Sequence, residues 1–307
     1  MSVAAQWLLG ALGALALFYI WRWYALARSS DPDRGRVVPG TQQTLLGFVT
    51  NFFDTLGVGS FAPTTSVFKL FRLVPDESIP GTLNAGHALP TVAQALIFIA
   101  AVGIDATTLV TMIIAAMAGA WLGAGTVSRL PRRAIQIGMG AALLVAAGLF
   151  IATNLDLIPG GGDALGLSGT LLGVAIAINF VLGALMTLGV GLYAPCLILV
   201  SLLGMNPIAA FPIMMGSCAF LMPVAGLRFI TRQRYDLRAA LGLTIGGIPG
   251  VLVAAFIVKQ LPVVWLRWLV VGVVLYAAFT MLRAARSDRL KTERDPAKAR
   301  ARSPAPP

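Results

Sequence analysis

The sequence predicts an all-α, polytopic membrane protein. It should consist of two inverted repeats, each a broken or re-entrant helical hairpin plus three transmembrane helices, preceded by one extra N-terminal helix. Three observations predict it. Hydrophobic residues make up 58% of the 307 residues and charged residues only 11%, less than half the share an ordinary soluble domain carries. Apolar runs of spanning length recur along the chain, separated by short basic clusters. Finally, FVTNFFDTLGVGSFAPTT from Phe48 lies without gaps over FVLGALMTLGVGLYAPCL from Phe180, an offset of 132. The composition argues against a soluble enzyme, a secreted disulfide scaffold and a nucleic-acid-binding domain. The net charge of +11 does not point to nucleic acid either, because its basic residues flank apolar runs, as they do when they hold loops in the cytoplasm.

The elements follow in order. Residues 1–40 are an N-terminal transmembrane helix and a cytoplasmic linker. The run 5–25 is long enough for a ~30 Å hydrocarbon core, and its charges, Arg22, Arg28, Arg34 and Arg36, come after it. A cleaved signal peptide carries its charge before the apolar region, so the helix stays and its N-terminus lies outside. Residues 41–153 form repeat 1, with apolar pieces at 41–73, 83–103, 106–128 and 133–153. Residues 154–169, with Asp156 and Asp163 but no Lys or Arg, form an external linker. Residues 170–283 form repeat 2, with pieces at 170–204, 208–227, 237–258 and 263–283. Residues 284–307 are a basic cytoplasmic tail: Arg283 to Pro307 holds eight basic and three acidic residues, a polar composition that predicts disorder.

The repeat extends past the opening motif. The same offset pairs Pro75 with Pro207 and Pro80 with Pro212; after one deletion it pairs Asp105 with Asp236 and Gly119 with Gly250. Arg129, Arg132 and Arg133 mark one cytoplasmic loop, and Arg228, Arg232, Arg234 and Arg238 another. These assignments agree only if the first piece of each repeat enters and leaves on the same side, which inverts the copies relative to each other. Lys259 and Arg267 fall on the outer side in this topology and are its exceptions. Inverted repeats with interrupted helices are a transporter architecture, with the substrate held near the midplane.

Gly57 and Gly59, like Gly189 and Gly191, permit a sharp turn inside the membrane. Pro63 and Pro195 suit the first turn of the half-helix that follows. Its N-terminal end presents free N–H groups and the positive end of its dipole. Two such ends brought together make an anion site, to which Thr55, Ser60, Thr64, Thr65 and Thr187 add hydroxyls and Cys196 a thiol near the tip. Close helix packing is the alternative role for Gly-Val-Gly. Asp54 stands mid-segment where repeat 2 has Met186. A carboxylate inside the membrane is costly and marks a candidate for proton or ion coupling, or else it caps a half-helix. His87 is a second coupling candidate or a packed histidine. Cys196 and Cys218 behave most simply as small apolar residues, and no metal-ligand spacing, cofactor motif or GxxxxGK[ST] nucleotide loop is present. One histidine and two separated cysteines are too few parts for an intramembrane enzyme.

At these residues the chain resembles the sulfite exporter TauE/SafE family of bacterial membrane permeases. The resemblance rests on GFVTNFFDTLGVGSFAPTT from Gly47 and GALMTLGVGLYAPCL from Gly183, each a glycine, then Gly-x-Gly, then Pro. Ser60-Phe61 and Leu192-Tyr193 stand where members carry a longer glycine run, which marks a divergent member. The resemblance implies transport of a small anion, typically sulfite, a sulfonate or another sulfur-containing or carboxylate compound, driven by a proton or ion gradient. It also implies the bacterial inner membrane. The expected partners are therefore a small anionic substrate and the lipid bilayer, with a homo-oligomer left open. A cation transporter or channel using Asp54 as ligand is the competing function.

Overall fold

The structure, a computed structural model, describes residues 2–30, 38–127, 132–155, 157, 162–186, 192–260 and 263–294. Among these the chain is helical and forms no β-strand. Helix α1 spans Val3–Ser30. Repeat 1 contributes α2 (Thr41–Thr55), α3 (Phe61–Leu70), α4 (Ile79–Gly86), α5 (Ala88–Ala101), α6 (Ala106–Val127) and α7 (Arg132–Asn154). Repeat 2 contributes α8 (Gly169–Met186), α9 (Tyr193–Leu202), a 3-10 turn at Pro207–Ala209, α10 (Ala210–Thr231), α11 (Leu237–Gln260) and α12 (Val263–Arg294). Among the described residues, five helical stretches are long and apolar enough to cross a membrane, one of them Ile79–Ala101, which runs through α4 and α5 with a one-residue break at His87. The protein is a multi-pass membrane protein.

The first piece of repeat 1 is broken, as its glycines require. Helices α2 and α3 have 15 and 10 residues, about 22 and 15 Å at ~1.5 Å per residue, so neither alone crosses a ~30 Å core. Between them Gly57 and Gly59 adopt φ of +97° and +87°, a region closed to side chains with a Cβ. The amide of Gly57 returns to the Asp54 carbonyl at 2.9 Å and that of Val58 to the Phe53 carbonyl at 3.1 Å, which closes the end of α2 with backbone alone. In repeat 2, α8 is longer, at 18 residues, and residues 187–191 after it lie outside the described residues.

Packing is reciprocal between the repeats. Helix α2 lies on α11 and α8 lies on α6, while α5 meets α10 and α7 meets α12. A Cβ placed on Gly47 would sit 2.6–2.9 Å from main-chain atoms of Gly242 and Leu243, so only glycine permits this approach of α2 to α11. The touching pairs Gly47–Leu243, Phe48–Gly250 and Asn51–Gly247 recur as Asn179–Met112, Phe180–Gly119 and Gly183–Ala116. Under the sequence offsets these are the same three pairs of positions. The third span of each repeat also starts in the same way: Asp105 accepts from the Thr108 amide at 2.8 Å and Asp236 from the Ala239 amide at 2.7 Å, side-chain caps that satisfy otherwise free helix-end donors.

The core sits where α5 and α10 cross, with Phe98 stacked on Phe211 at 5.2 Å. Two details depart from the sequence reading. Helix α12 continues to Arg294, well into the segment expected to be a disordered tail, because Ala, Arg, Leu, Lys and Glu are strong helix formers without needing to be apolar. Trp23 lies near the end of the first apolar run, where a tryptophan is expected to anchor at the membrane interface, but it is only 6% exposed. Its indole N–H donates to the Tyr235 hydroxyl at 3.2 Å.

Candidate functional site

Asp54 is buried in the last turn of α2, beside the glycine turn. The side-chain amide of Gln94, on α5, donates to Asp54 Oδ2 at 2.8 Å and to Thr55 Oγ1 at 2.9 Å. Thr55 in turn donates to the Asn51 carbonyl at 2.8 Å. Ser60, buried just before α3, faces the Asp54 carboxyl. Ser60 occupies the N-cap position of α3 and makes no side-chain cap bond of its own. The oxygen of Gln94 is used as well: Tyr193, the first residue of α9, donates its hydroxyl to Gln94 Oε1 at 2.9 Å. Thr91, one turn before Gln94 on α5, faces the same hydroxyl. A single amide therefore joins the first hairpin to the second.

His87 holds the other side of this cluster. It sits at the break between α4 and α5, fully buried, with Nδ1 3.0 Å from Asn51 Oδ1 and Nε2 3.1 Å from Thr64 Oγ1. Asn51 spends its amide N–H on the Gly47 carbonyl at 2.8 Å, which fixes its oxygen toward the histidine. An amide oxygen only accepts, so Nδ1 carries the proton of the neutral ring, and Nε2 accepts from the Thr64 hydroxyl. The ring of Phe61 packs against His87 at 5.9 Å. His87 thus ties α2, α3 and the break before α5 together.

The structure brings Asp54, Thr55, Ser60, Thr64 and His87 into one buried cluster beneath Gly57 and Gly59. Pro63 and Pro195 lie in the first turns of α3 and α9. Cys196 is buried in α9 and Cys218 in α10, both as free thiols, with Cys218 Sγ 3.7 Å from Met186 Sδ. Thr187, Gly189 and Gly191 lie outside the described residues. Four members of the cluster were not singled out from the sequence: Asn51, Thr91, Gln94 and Tyr193. Gln94 carried the same signal as Asp54, a strongly polar side chain inside an apolar span. Tyr193 aligns with Phe61 under the offset, so its added hydroxyl was visible but had no assigned partner.

Among known families, the chain matches the one described as Sulfite exporter TauE/SafE, over residues 1–150 and 171–307. The chain belongs to the TauE/SafE family. The interval between the two matched stretches falls at the junction of α7 and α8. No curated protein and no solved structure matches the chain. TauE/SafE proteins are membrane transporters of sulfur anions, and membership places this protein among permeases.

Proposed function

We propose that this TauE/SafE protein is a secondary transporter that moves a small anion, such as sulfite, a sulfonate or another sulfur-containing or carboxylate compound, across the bacterial inner membrane. The anion is held where the two hairpin tips meet. The observation that carries this reading is the buried bridge from Asp54 through Gln94 to Tyr193, which links the two interrupted segments; transporters built on inverted repeats hold substrate where such segments meet. Ser60 and Thr64, the turn at Gly57 and Gly59, and the hydroxyl of Thr55 supply one wall. Thr187, Gly189, Gly191 and Cys196 supply the other. The reciprocal packing of α2 on α11 and of α8 on α6 supports inverted repeats related by a two-fold. The arginine clusters support an external N-terminus and a cytoplasmic C-terminus. Asp54 and His87 are the groups that can take up and release a proton with the substrate.

The cation reading fares less well on the same geometry. A hard cation needs several oxygen ligands converging on it, whereas Gln94 turns its amide N–H, not its oxygen, toward the Asp54 carboxylate. Purified protein in liposomes, given sulfite, sulfate, ethanesulfonate, thiosulfate and acetate under an imposed pH gradient, tests the proposal. At least one sulfur anion is expected to accumulate. Flux of sodium or potassium with no anion uptake would overturn it.

A further inference from the structure

The donors around Asp54 are the kind an oxyanion substrate needs. Gln94 contributes an N–H, and Ser60, at the N-terminal end of α3 with its dipole, faces the same carboxyl. Such groups bind carboxylate and sulfur oxyanions alike, because both present several acceptor oxygens around one negative charge. In this structure the protein's own carboxylate holds the Gln94 N–H and faces Ser60. A second anion brought to the same donors would face that carboxylate in a buried setting, where two adjacent negative charges do not both persist.

Resting on the anion-transport reading above, we infer that Asp54 is a built-in stand-in for the substrate anion. Ionised, it occupies the donors and, through Gln94 and Tyr193, keeps the first hairpin latched to the second. Protonated, it loses its charge and releases Ser60 and Gln94, and the incoming anion takes them, with the Tyr193 hydroxyl next in line. Anion binding is thereby linked to uptake of a proton from solvent, and no covalent bond changes. The titratable groups that face Asp54 are Tyr193 from α9 and Cys218 from α10. From α5 only the uncharged Gln94 reaches it, and His87 is bonded to Asn51 and Thr64 instead. No described lysine or arginine contributes to its surroundings. The equivalent position in repeat 2 is Met186, so the tips carry one such carboxylate among the described residues and the coupling is one proton per anion.

The test is binding of ethanesulfonate, sulfate and thiosulfate, whose charges stay constant between about pH 5.5 and about pH 8, to the full-length protein by calorimetry. For one linked proton, wild-type affinity falls up to about tenfold per pH unit as pH rises. Asp54→Asn is expected to bind at about pH 8 at least about tenfold more tightly than wild type and to lose the pH slope to within about twofold. Gln94→Leu in the Asp54→Asn background should weaken binding about tenfold. Repeating the wild-type titration in buffers of different ionisation enthalpy counts the protons directly, without relying on any variant to fold. One proton taken up per anion is expected. Binding without proton uptake, or a folded Asp54→Asn protein that binds no anion or keeps the wild-type slope, overturns the stand-in role while leaving anion transport intact. If wild type binds none of the three at either pH, both readings fall.

Discussion

At the tip of the first repeat the inward-facing positions hold Asn51, Asp54, Ser60, Thr64 and His87; at the equivalent positions of the second stand Gly183, Met186, Leu192, Cys196 and Ala219. The scaffold around them has barely diverged. Asp105 and Asp236 cap equivalent helices, and the Phe48–Gly250 contact repeats as Phe180–Gly119. Duplication thus preserved the backbone approach and the helix ends, where a change disturbs the main chain. Polar side chains concentrated on one side, where a change leaves the main chain undisturbed. Tyr193 is the exception that matters, since it is the hydroxyl through which the apolar tip reaches the polar one.

If the scaffold is shared, bulky residues at equivalent close contacts should do equal harm. Gly250→Leu would drive its side chain into the Phe48 backbone, and Gly119→Leu would do the same to Phe180. Each is expected to cost about 3 kcal/mol or more, seen as loss of the monodisperse, folded protein in detergent. Tolerance of one and not the other would break the symmetry of the packing.

The chemistry should respond in the opposite, lopsided way. Asp54→Leu is expected to lower sulfur-anion uptake at least about a hundredfold, because it removes an ionisable group buried at the site. Met186→Leu, a volume-conserving change, should leave uptake within about twofold. Equal losses would mean that Met186 shapes the site as much as Asp54 does.

A smaller effect separates the two coupling candidates. Removing the His87 ring strands Asn51 Oδ1 and the Thr64 hydroxyl in a buried space, so His87→Ala should destabilise the protein by about 2 kcal/mol, measured as a lower melting temperature. The proton dependence of uptake should persist. Were that dependence to vanish with the melting temperature unchanged, His87 rather than Asp54 would carry the proton. The smallest expected effect returns to the scaffold. Asp105→Ala and Asp236→Ala each remove one N-cap and should cost about 1 kcal/mol of stability, alike in both repeats and without changing which anion is transported.

Much of this organisation was legible in one dimension. The membrane class follows from composition, since a chain with so few charges cannot cover a soluble surface. The duplication follows from Gly-Val-Gly and the prolines recurring in register, and the break between α2 and α3 follows from glycines that the structure finds at positive φ. Asp54 was singled out by the cost of a carboxylate in an apolar segment. What surrounds Asp54 could be settled only by the tertiary structure. Gln94 lies 40 residues from Asp54 in the chain, and Tyr193 a further 99 from Gln94. Periodicity places a side chain on the face of its own helix and says nothing of the helix that will meet it. Packing decided that the partners are donors, that His87 is satisfied on both nitrogens, and that one glutamine amide joins the repeats. It could do so because hydrogen bonds depend on distance in space, to which order along the chain is nearly blind.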